Sequence, residues 1–330
     1  MNDTTTPAVL ATDVVEERNF RPATLDEFVG QARLKATLRL MLVSAQKRGQ
    51  PIEHLLFCDL PGLGKTTLAA IIAAEMGATL RELAAPALNK PADLACILLV
   101  LQDRDVLFLD EIHRLKGDIA EILYSGMEDF KVSIVNTRGE HPITLSLKRF
   151  TLVGATTDYG LLPGPLRDRF GQVFPLDLYS EEELTQVIGR AADKAGLLMD
   201  KDSLRLIAAR ARGTPRVALR LFRRCRDLGV VEDTDLTDEL TARALELLRV
   251  DVLGLDEADR RYLRVLHDHY KGGPVGPKAL AASTGLDLAT IESTIEPWLM
   301  RSGLLIRTRK GRALTEAGRD HVLTESLPES

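Results

Sequence analysis

The sequence predicts an α/β domain with a mostly parallel sheet covered by helices, followed by a small helical domain and a C-terminal winged-helix domain. Two observations predict the first part: a glycine-rich loop between a strand and a helix, and an apolar strand that ends in two acids. Alternating strands and helices favour parallel pairing of the strands, with helices on the faces of the sheet. A third observation, a helix-turn-helix followed by a basic hairpin near the C-terminus, predicts the last domain.

The chain divides into four predicted segments. Residues 1–17 are polar and rich in threonine, and we expect them to be disordered. Residues 18–179 form the α/β domain, 180–254 the helical domain and 255–330 the winged-helix domain. The strand candidates of the α/β domain are 54–58, 78–83, 105–109, 132–136 and 150–155. Helices are predicted over about 202–212, 215–228, 237–248, 257–270 and 287–301, and a capping box formed by Ser180 and Glu183 predicts another helix start.

Composition and charge exclude several classes of protein. Of the 330 residues, 45% are hydrophobic and 28% are charged, which is ordinary for a globular protein. The net charge of −5 implies no global attraction to nucleic acid, so DNA contacts would need a local basic patch. Cys58, Cys96 and Cys225 have no metal or disulfide spacing, and no apolar run is long enough for a membrane span. We therefore expect a cytoplasmic protein.

The stretch 60–67 contains most of a phosphate-binding loop of the pattern G-x-x-x-x-G-K-[ST]. Gly62 and Gly64 leave room for backbone N–H groups to surround phosphate oxygens. Lys65 brings a positive charge to the outer phosphates, and Thr66 offers a hydroxyl to Mg²⁺. An apolar strand precedes the loop and a helix follows it, which is the context that the motif requires. The loop predicts a nucleoside triphosphate as ligand.

One position of the loop departs from the pattern. The first glycine is replaced by Asp59. Its carboxylate could face the phosphates, or the position could require a left-handed backbone, which Asp tolerates better than most residues. The sequence therefore leaves open whether Asp59 lowers nucleotide binding or turnover.

A second motif, further along the chain than the phosphate loop, supplies two acids. The apolar run from Val106 to Leu109 predicts a central parallel strand, which delivers Asp110 and Glu111 to the carboxyl edge of the sheet. Asp110 is placed to hold Mg²⁺, and Glu111 is placed to take a proton from the attacking water. Together with the loop, these acids predict hydrolysis of the nucleotide.

The C-terminal hairpin carries the candidate DNA contacts. Acids on the candidate recognition helix, among them Glu292 and Glu296, would repel phosphates, so insertion of this helix into the major groove is not expected. The predicted wing instead presents cations that suit backbone phosphates and carry little sequence information. These residues are Arg307, Arg309, Lys310 and Arg312.

Several motifs together resemble one family. Asp110-Glu111-Ile112-His113 and Arg212-Gly213-Thr214-Pro215-Arg216 are its most specific motifs, beside the phosphate loop and Pro165-Leu166-Arg167-Asp168-Arg169. In order and spacing they resemble the RuvB family, the bacterial motors of Holliday junction branch migration, which are AAA+ ATPases. The similarity covers about residues 18–323. It implies an α/β AAA+ domain, a lid domain and a winged-helix domain.

The resemblance implies roles for matching positions. Thr157 would be a polar sensor between the loop and the acids, and Arg169 a finger that reaches the ATP of a neighbouring subunit. Arg307 and Arg312 would contact DNA. ATP would be bound by Phe20, Arg21, Gly62, Gly64, Lys65, Thr66, Thr67, Glu128, Asp129, Phe130, Tyr179 and Arg216, with Mg²⁺ held by Thr66 and Asp110.

The family also implies partners. These are double-stranded DNA at a Holliday junction, further copies of the chain in a ring, expected to be a hexamer, a RuvA-like junction-binding protein and a RuvC-like resolvase. The RuvA-docking hairpin of the family corresponds to residues 135–150, which form a shorter hairpin here with a polar tip at 138–142.

The leading interpretation is an ATP-driven DNA motor for branch migration in recombination and repair. A divergent paralogue that binds DNA or partners but hydrolyses ATP weakly remains an alternative because of Asp59. A related AAA+ loader or remodeller is a further alternative, which the Asp-Glu-Ile-His motif, Arg216 and the basic wing disfavour.

Overall fold

The computed structural model describes residues 20–134 and 143–325. The chain forms two compact units. The first extends to Val187 and includes Thr214–Arg216, and the second contains Ile188–Gly213 and the residues from Val217 onward. The expected disorder of residues 1–17 and the polar tip at 138–142 lie outside the described residues.

The first unit is built on a sheet of five parallel strands in the order β2-β3-β6-β1-β7. Every residue of β1 and β6 is buried, because helices cover both faces of the sheet. The predicted parallel sheet is confirmed, and its four predicted strands begin and end within two residues of the observed ones. The strands are β1 Leu55–Cys58, β2 Leu80–Ala84, β3 Val106–Asp110, β6 Thr151–Thr156 and β7 Gln172–Pro175.

Strand β7 was not predicted. It has only four residues, and its first two are only partly buried. As the last strand in the sheet order it lies at the edge, where Pro175 is tolerated because no neighbour needs its missing N–H. A short edge strand of this kind lacks the apolar run on which the strand predictions were based.

Helices and a hairpin complete the first unit. Leucines of α3 and α4, such as Leu98 and Leu123, pack with Leu107 of β3 and Leu152 of β6 in one buried cluster. Burying each of these side chains contributes about 2 kcal/mol. The helices are α1 Ala32–Arg48, α2 Lys65–Glu75, α3 Pro91–Leu99, α4 Gly117–Glu128 and α5 Gly164–Arg167. The antiparallel hairpin consists of β4 Lys131–Ile134 and β5 Ile143–Ser146. The strand predicted over 132–136 is observed as far as Ile134, and its last two residues lie outside the described part of the chain.

The next four helices follow the predicted order. Ser180 and Glu183 form the predicted capping box at the start of α6, each backbone N–H donating to the other side chain. Helix α7 ends at Ala209 rather than at 212, because Arg212 and Gly213 adopt left-handed φ angles of 54° and 67°. The helices are α6 Glu181–Ala195, α7 Lys201–Ala209, α8 Pro215–Glu232 and α9 Asp238–Leu247.

The C-terminal segment has the predicted winged-helix order, with one irregularity. The predicted helix over 287–301 consists of α12 and α13, separated by a π-helical turn at Ile291–Ile295. Pro297 lies two residues after the end of this turn, and its missing N–H and its ring prevent a regular α-helical bond there. The elements are α10 Glu257–Asp268, α11 Pro277–Thr284, α12 Leu288–Thr290, α13 Glu296–Arg301, β8 Leu305–Thr308, β9 Gly311–Leu314 and α14 Glu316–Glu325. Among the described residues, no helix is both long and apolar enough to cross a membrane.

Candidate nucleotide site and DNA-binding wing

The phosphate loop links the end of β1 to the start of α2. Gly62 and Gly64 have φ angles of 84° and 99°, in the left-handed region that favours glycine. A Cβ on Gly62 would lie 2.9 Å from the Cβ of Arg216, and one on Gly64 would lie 3.0 Å from the ring of Phe28. Both glycines are therefore required by backbone conformation and by space, and the loop has the form of a cradle for an anion.

Asp59 adopts the conformation that the pattern assigns to glycine. Its φ angle is 106°, which costs an L-residue on the order of 1–2 kcal/mol. Its carboxylate accepts a hydrogen bond from the backbone N–H of Leu60 at 2.9 Å. The strained alternative considered from the sequence therefore applies, and the loop folds with Asp at this position.

Lys65 is buried within the loop, with 8% of its surface exposed. Its ammonium group donates hydrogen bonds to the carbonyl oxygens of Asp59 and, at 3.0 Å, of Leu60. Burial lowers the pKa of Lys65, and the carboxylates of Asp110 and Glu111 oppose this shift. The ammonium group is thus held by neutral oxygen atoms and lies in the field of two acids.

The acids meet the polar sensor at the carboxyl edge of the sheet. Asp110 ends β3, and Thr157 follows the neighbouring strand β6. The hydroxyl of Thr157 donates to Oε2 of Glu111 at 3.1 Å. Nδ1 of His113 lies 3.3 Å from the same oxygen and 2.9 Å from Oγ1 of Thr156. Sequence reasoning gave His113 no role, although it lies in the Asp-Glu-Ile-His motif.

Two residues from more distant segments reach the loop. The buried hydroxyl of Tyr179 donates to the carbonyl oxygen of Leu63 at 3.4 Å, and burial raises the pKa of Tyr179, so it remains a neutral donor. The backbone N–H of Arg216 donates to the carbonyl oxygen of Gly62 at 3.4 Å. The structure therefore brings Tyr179 and Arg216 to the loop.

Thr66 and Thr67 follow Lys65 in the first turn of α2, and both are partly buried. Phe20 and Arg21, predicted to lie beside the adenine, are half-buried at the start of the described chain. Their contacts with a nucleotide stay a prediction.

Glu128, Asp129 and Phe130 lie at the opposite edge of the sheet from the phosphate loop. The ring of Phe130 packs against Phe150 at 5.8 Å and against His54 at 6.2 Å between ring centroids. Phe150 and His54 directly precede β6 and β1, so this is the amino edge of the parallel strands. The structure does not bring these three predicted ATP contacts to the loop of their own chain.

Arg169 lies at the same amino edge, three residues before β7. Its guanidinium donates to Oε2 of Glu128 at 2.6 Å and to the carbonyl oxygen of Pro165 at 2.7 Å. It also lies 4.9 Å from the ring centroid of Tyr124, a cation–π contact. Sequence reasoning missed Tyr124, whose signal is its spacing of four residues from Glu128 on one helix face.

The wing places its cations in two different environments. Arg307 and Arg312 are directly opposite each other in the β8–β9 register, and both donate to the carboxylate of Glu296. Arg309 and Lys310 form the two-residue connection between the strands and are exposed. Glu296 is fully buried, so it does not face outward from the recognition helix as the sequence suggested.

Three family models match consecutive parts of the chain. The Holliday junction DNA helicase RuvB P-loop domain matches residues 20–176, the RuvB AAA lid domain 179–251 and the RuvB C-terminal winged helix domain 252–323. A RuvB subunit of the Holliday junction branch migration complex from Methanoregula boonei is 48% identical over 313 residues, covering 94% of this chain and 93% of its own. The chain belongs to the RuvB family.

Other RuvB proteins agree with this assignment over the same length. The RuvB subunit of Kosmotoga olearia is 46% identical over 316 residues, with 94% of this chain and 92% of that protein covered. The solved structure described as the Thermotoga maritima RuvB Holliday junction branch migration motor superimposes with a TM-score of 0.85 at 43% identity, covering 94% of this chain and all of that one. The fold is accordingly that of RuvB: an α/β AAA+ domain, a helical lid and a winged helix.

Proposed function

We propose that this RuvB-family chain is an ATP hydrolase that drives DNA through Holliday junctions during recombination and repair. The observation that carries this proposal is the meeting of Lys65, Asp110, Glu111 and Thr157 at one edge of the sheet, within a glycine loop shaped for an anion. RuvB relatives that share most of the chain are named as subunits of the branch migration complex.

The residues at this edge fit ATP with Mg²⁺. A Cβ at Gly62 or Gly64 would fill the cradle that the phosphates need. Thr66 and Asp110 would hold Mg²⁺ together with the phosphates, because this ion is usually bound by one or two protein oxygen ligands, phosphate oxygens and water. The ion supplies charge neutralisation for phosphoryl transfer. Phe20, Arg21, Thr67, Tyr179 and Arg216 complete the proposed nucleotide site.

Glu111 is the proposed general base. Its carboxylate is oriented by the hydroxyl of Thr157 and lies beside His113, which in turn contacts Thr156. A carboxylate held in this way accepts the proton of the attacking water without first reorganising. Thr157 thereby links the position of the base to the end of β6.

A second copy of the chain is needed to complete the site. Arg169 lies at the amino edge of the sheet and the phosphate loop at the carboxyl edge, so the finger of one chain serves the ATP of another. Glu128, Asp129 and Phe130 share this edge and would face the same neighbouring nucleotide. A cation supplied in trans couples hydrolysis to assembly, which supports the ring, proposed as a hexamer.

The proposed macromolecular partners are junction DNA, bound through the wing, and RuvA-like and RuvC-like proteins. In the described part of the β4–β5 hairpin, Ile143 and Leu145 are exposed by 56% and 37%. These apolar side chains are available for a RuvA-like protein.

Turnover of ATP by the purified chain tests the proposal. It should be measured with and without junction DNA, beside Glu111→Gln and Asp59→Gly variants. We expect wild-type turnover that DNA stimulates, and a loss of about 10²- to 10⁴-fold in Glu111→Gln, the range for removal of a general base.

Asp59→Gly separates the motor from a weakly hydrolysing paralogue. Because the loop folds around Asp59 and still gathers Lys65, we expect turnover of this variant within a few-fold of wild type. A wild-type chain as inactive as Glu111→Gln, with turnover restored by Asp59→Gly, would favour the paralogue instead.

A further inference from the structure

The main chain of Glu111 is fixed in an unusual conformation directly after β3. Its φ angle is 49°, in the left-handed region, which is strained for any residue other than glycine. Hydrogen bonds hold both sides of this residue: its N–H donates to Oδ1 of Asp110 at 3.0 Å, and its carbonyl oxygen accepts from the N–H of Arg114 at 2.8 Å. The direction in which the Glu111 side chain leaves the backbone is therefore determined by the fold.

The residues after Glu111 form a single 3₁₀ turn, Ile112–Arg114, that is anchored to strand β6. Ile112 is buried, and a Cβ on Gly154 of β6 would lie only 3.2 Å from its side chain. Gly154 thus leaves the space that Ile112 fills in a close-packed interior. The anchored turn carries the ring of His113 to Thr156 at the end of the same strand.

His113 is tethered to this threonine. Its side chain is only 11% exposed, and Nδ1 lies 2.9 Å from Oγ1 of Thr156, which is fully buried. The same Oγ1 accepts the backbone N–H of Asp158 at 3.0 Å. Because a hydroxyl oxygen has two acceptor positions, Thr156 can accept from both the Asp158 N–H and an N–H of His113.

The neighbouring carboxylate determines which nitrogen of His113 carries hydrogen. Nδ1 also lies 3.3 Å from Oε2 of Glu111. A bare Nδ1 would turn its lone pair toward a negatively charged oxygen, which is repulsive, whereas an Nδ1–H is attracted to it. The geometry therefore requires hydrogen on Nδ1, which donates to Thr156 and places a positive dipole beside the carboxylate of Glu111.

Oε2 of Glu111 is consequently restrained by two consecutive threonines in different ways. The hydroxyl of Thr157 donates to it directly at 3.1 Å, and Thr156 acts on it through His113. The last torsion of a glutamate side chain is soft, so one contact alone leaves the carboxylate free to turn. A second contact from another residue restricts that rotation.

We propose that His113 is a positioning residue for ATP hydrolysis, which keeps the carboxylate of Glu111 in place and is itself held by Thr156. This inference rests on the proposed function, in which Glu111 is the general base. His113 acts on the reaction only through Glu111. Its loss therefore slows the hydrolysis step and leaves ATP binding intact.

Two amide substitutions distinguish the nitrogens of the His113 ring. The side-chain nitrogen of Asn occupies the position of Nδ1, and that of Gln the position of Nε2. The full-length chain should be prepared as His113→Asn, His113→Gln and His113→Ala, and as His113→Ala combined with Glu111→Gln. His269→Ala and Arg205→Ala serve as controls at exposed residues of the second unit.

Single-turnover hydrolysis of labelled ATP measures the chemical step, equilibrium titration measures ATP affinity, and the melting temperature reports on folding. We expect His113→Gln and His113→Ala to slow single-turnover hydrolysis by about 10- to 100-fold, because a misplacement of about 1 Å can cost about 10²-fold. Their ATP affinity should stay within a few-fold of wild type. His113→Asn and both controls should hydrolyse ATP within a few-fold of wild type.

The double variant tests whether His113 acts through Glu111. In the Glu111→Gln background, His113→Ala should cause no further loss of hydrolysis, because the carboxylate that it positions is already absent. A further loss as large as that in the wild-type background would show that His113 acts independently of Glu111 and would overturn the assignment.

Three other results would also overturn it. The first is unchanged hydrolysis per folded molecule in His113→Gln and His113→Ala, which would leave His113 with a role in folding alone. The second is a fall in ATP affinity that accounts for the whole loss. The third is a folded His113→Asn variant that hydrolyses ATP as slowly as Glu111→Gln, and this result decides even where the Gln and Ala variants fail to fold. A wild-type chain that hydrolyses no ATP would instead remove the proposed function, and this inference with it.

Discussion

Two buried cations of this chain, Lys65 in the phosphate loop and Arg312 in the wing, are held by opposite kinds of partner. Lys65 donates to neutral carbonyl oxygens, and burial lowers its pKa. Arg312 donates to two carboxylates, and its pKa is raised. Both lie in segments expected to contact phosphate. Only the cation without a carboxylate in direct contact keeps its charge available for a ligand.

Arg169 is an intermediate case between these two. It is paired with Glu128, but the Glu128 side chain is 63% exposed, so the pair is solvated and weak. A solvated partner can be exchanged for a phosphate at little cost. The three cations therefore differ in the charge and solvation of their acceptors: neutral carbonyl oxygens for Lys65, an exposed carboxylate for Arg169 and a buried carboxylate for Arg312.

The largest expected effect is the loss of ATP turnover when Arg169 is replaced. Arg169→Ala should reduce ATP turnover by at least about 10³-fold, because a finger cation stabilises the transition state. Nucleotide affinity should change little. Steady-state turnover with equilibrium nucleotide binding measures both, and Arg205→Ala is the matched control. ATP turnover of Arg169→Ala within a few-fold of wild type would show that Arg169 does not act at the ATP site.

The next largest effect is on the stability of the wing. Arg312→Met should lower the free energy of unfolding by about 3–5 kcal/mol, because it leaves the buried Glu296 without its main partner. Urea unfolding of the full chain, followed through the single Trp298, reports on this segment. A loss below about 1 kcal/mol would mean that Arg312 and Glu296 are not coupled as described.

Lys65→Met should behave in the opposite way. Its stability should stay within about 1 kcal/mol of wild type, because the carbonyl partners carry no charge that would be left uncompensated. ATP affinity should fall by about 10- to 100-fold, the size of one or two charge-assisted hydrogen bonds. Calorimetric titration and urea unfolding of the same sample test both halves. A severely destabilised Lys65→Met variant with unchanged ATP affinity would show that Lys65 has a structural role, as expected of Arg312, and does not bind phosphate.

The smallest effect concerns the carboxylate of Asp259, which is bound by Arg212. Burial raises the pKa of Asp259 to about 7, against the opposing effect of Arg212. The folded state therefore holds this proton more tightly than the unfolded state, and its contribution to stability is lost as pH rises through about 7. Between pH 6 and 8, wild type should lose about 1.4 kcal/mol relative to Asp259→Asn, because only about one pH unit of this window lies below the folded pKa. Parallel pH curves for the two proteins would contradict this.

The parallel sheet and the phosphate loop at its carboxyl edge could be predicted because both depend on patterns within short stretches of sequence. A buried strand, glycines and a lysine at fixed spacing determine the loop, and Asp110 and Glu111 follow an apolar run. The short edge strand β7 and the π-helical turn before Pro297 were missed, because they carry no apolar periodicity of their own.

The wing could be predicted only as a basic hairpin. Arg307 and Arg312 look like exposed cations in the sequence, and Glu296 looks like a repulsive acid. Their pairing depends on tertiary packing that brings α13 against β8 and β9, across 11 and 16 positions of sequence. The same limitation applies to Arg169. Its position at the amino edge of the sheet follows from strand β7, which the sequence did not predict.

The central claim is that Arg169 of one chain completes the ATP site of another. Arg169→Ala and Glu111→Gln chains should each be inactive alone, and equal amounts should then be mixed and reassembled. A mixed assembly contains sites with an intact loop and Glu111 from one chain and Arg169 from its neighbour, so we predict recovered ATP turnover. No recovery from assemblies that are verified to contain both chains would contradict the account.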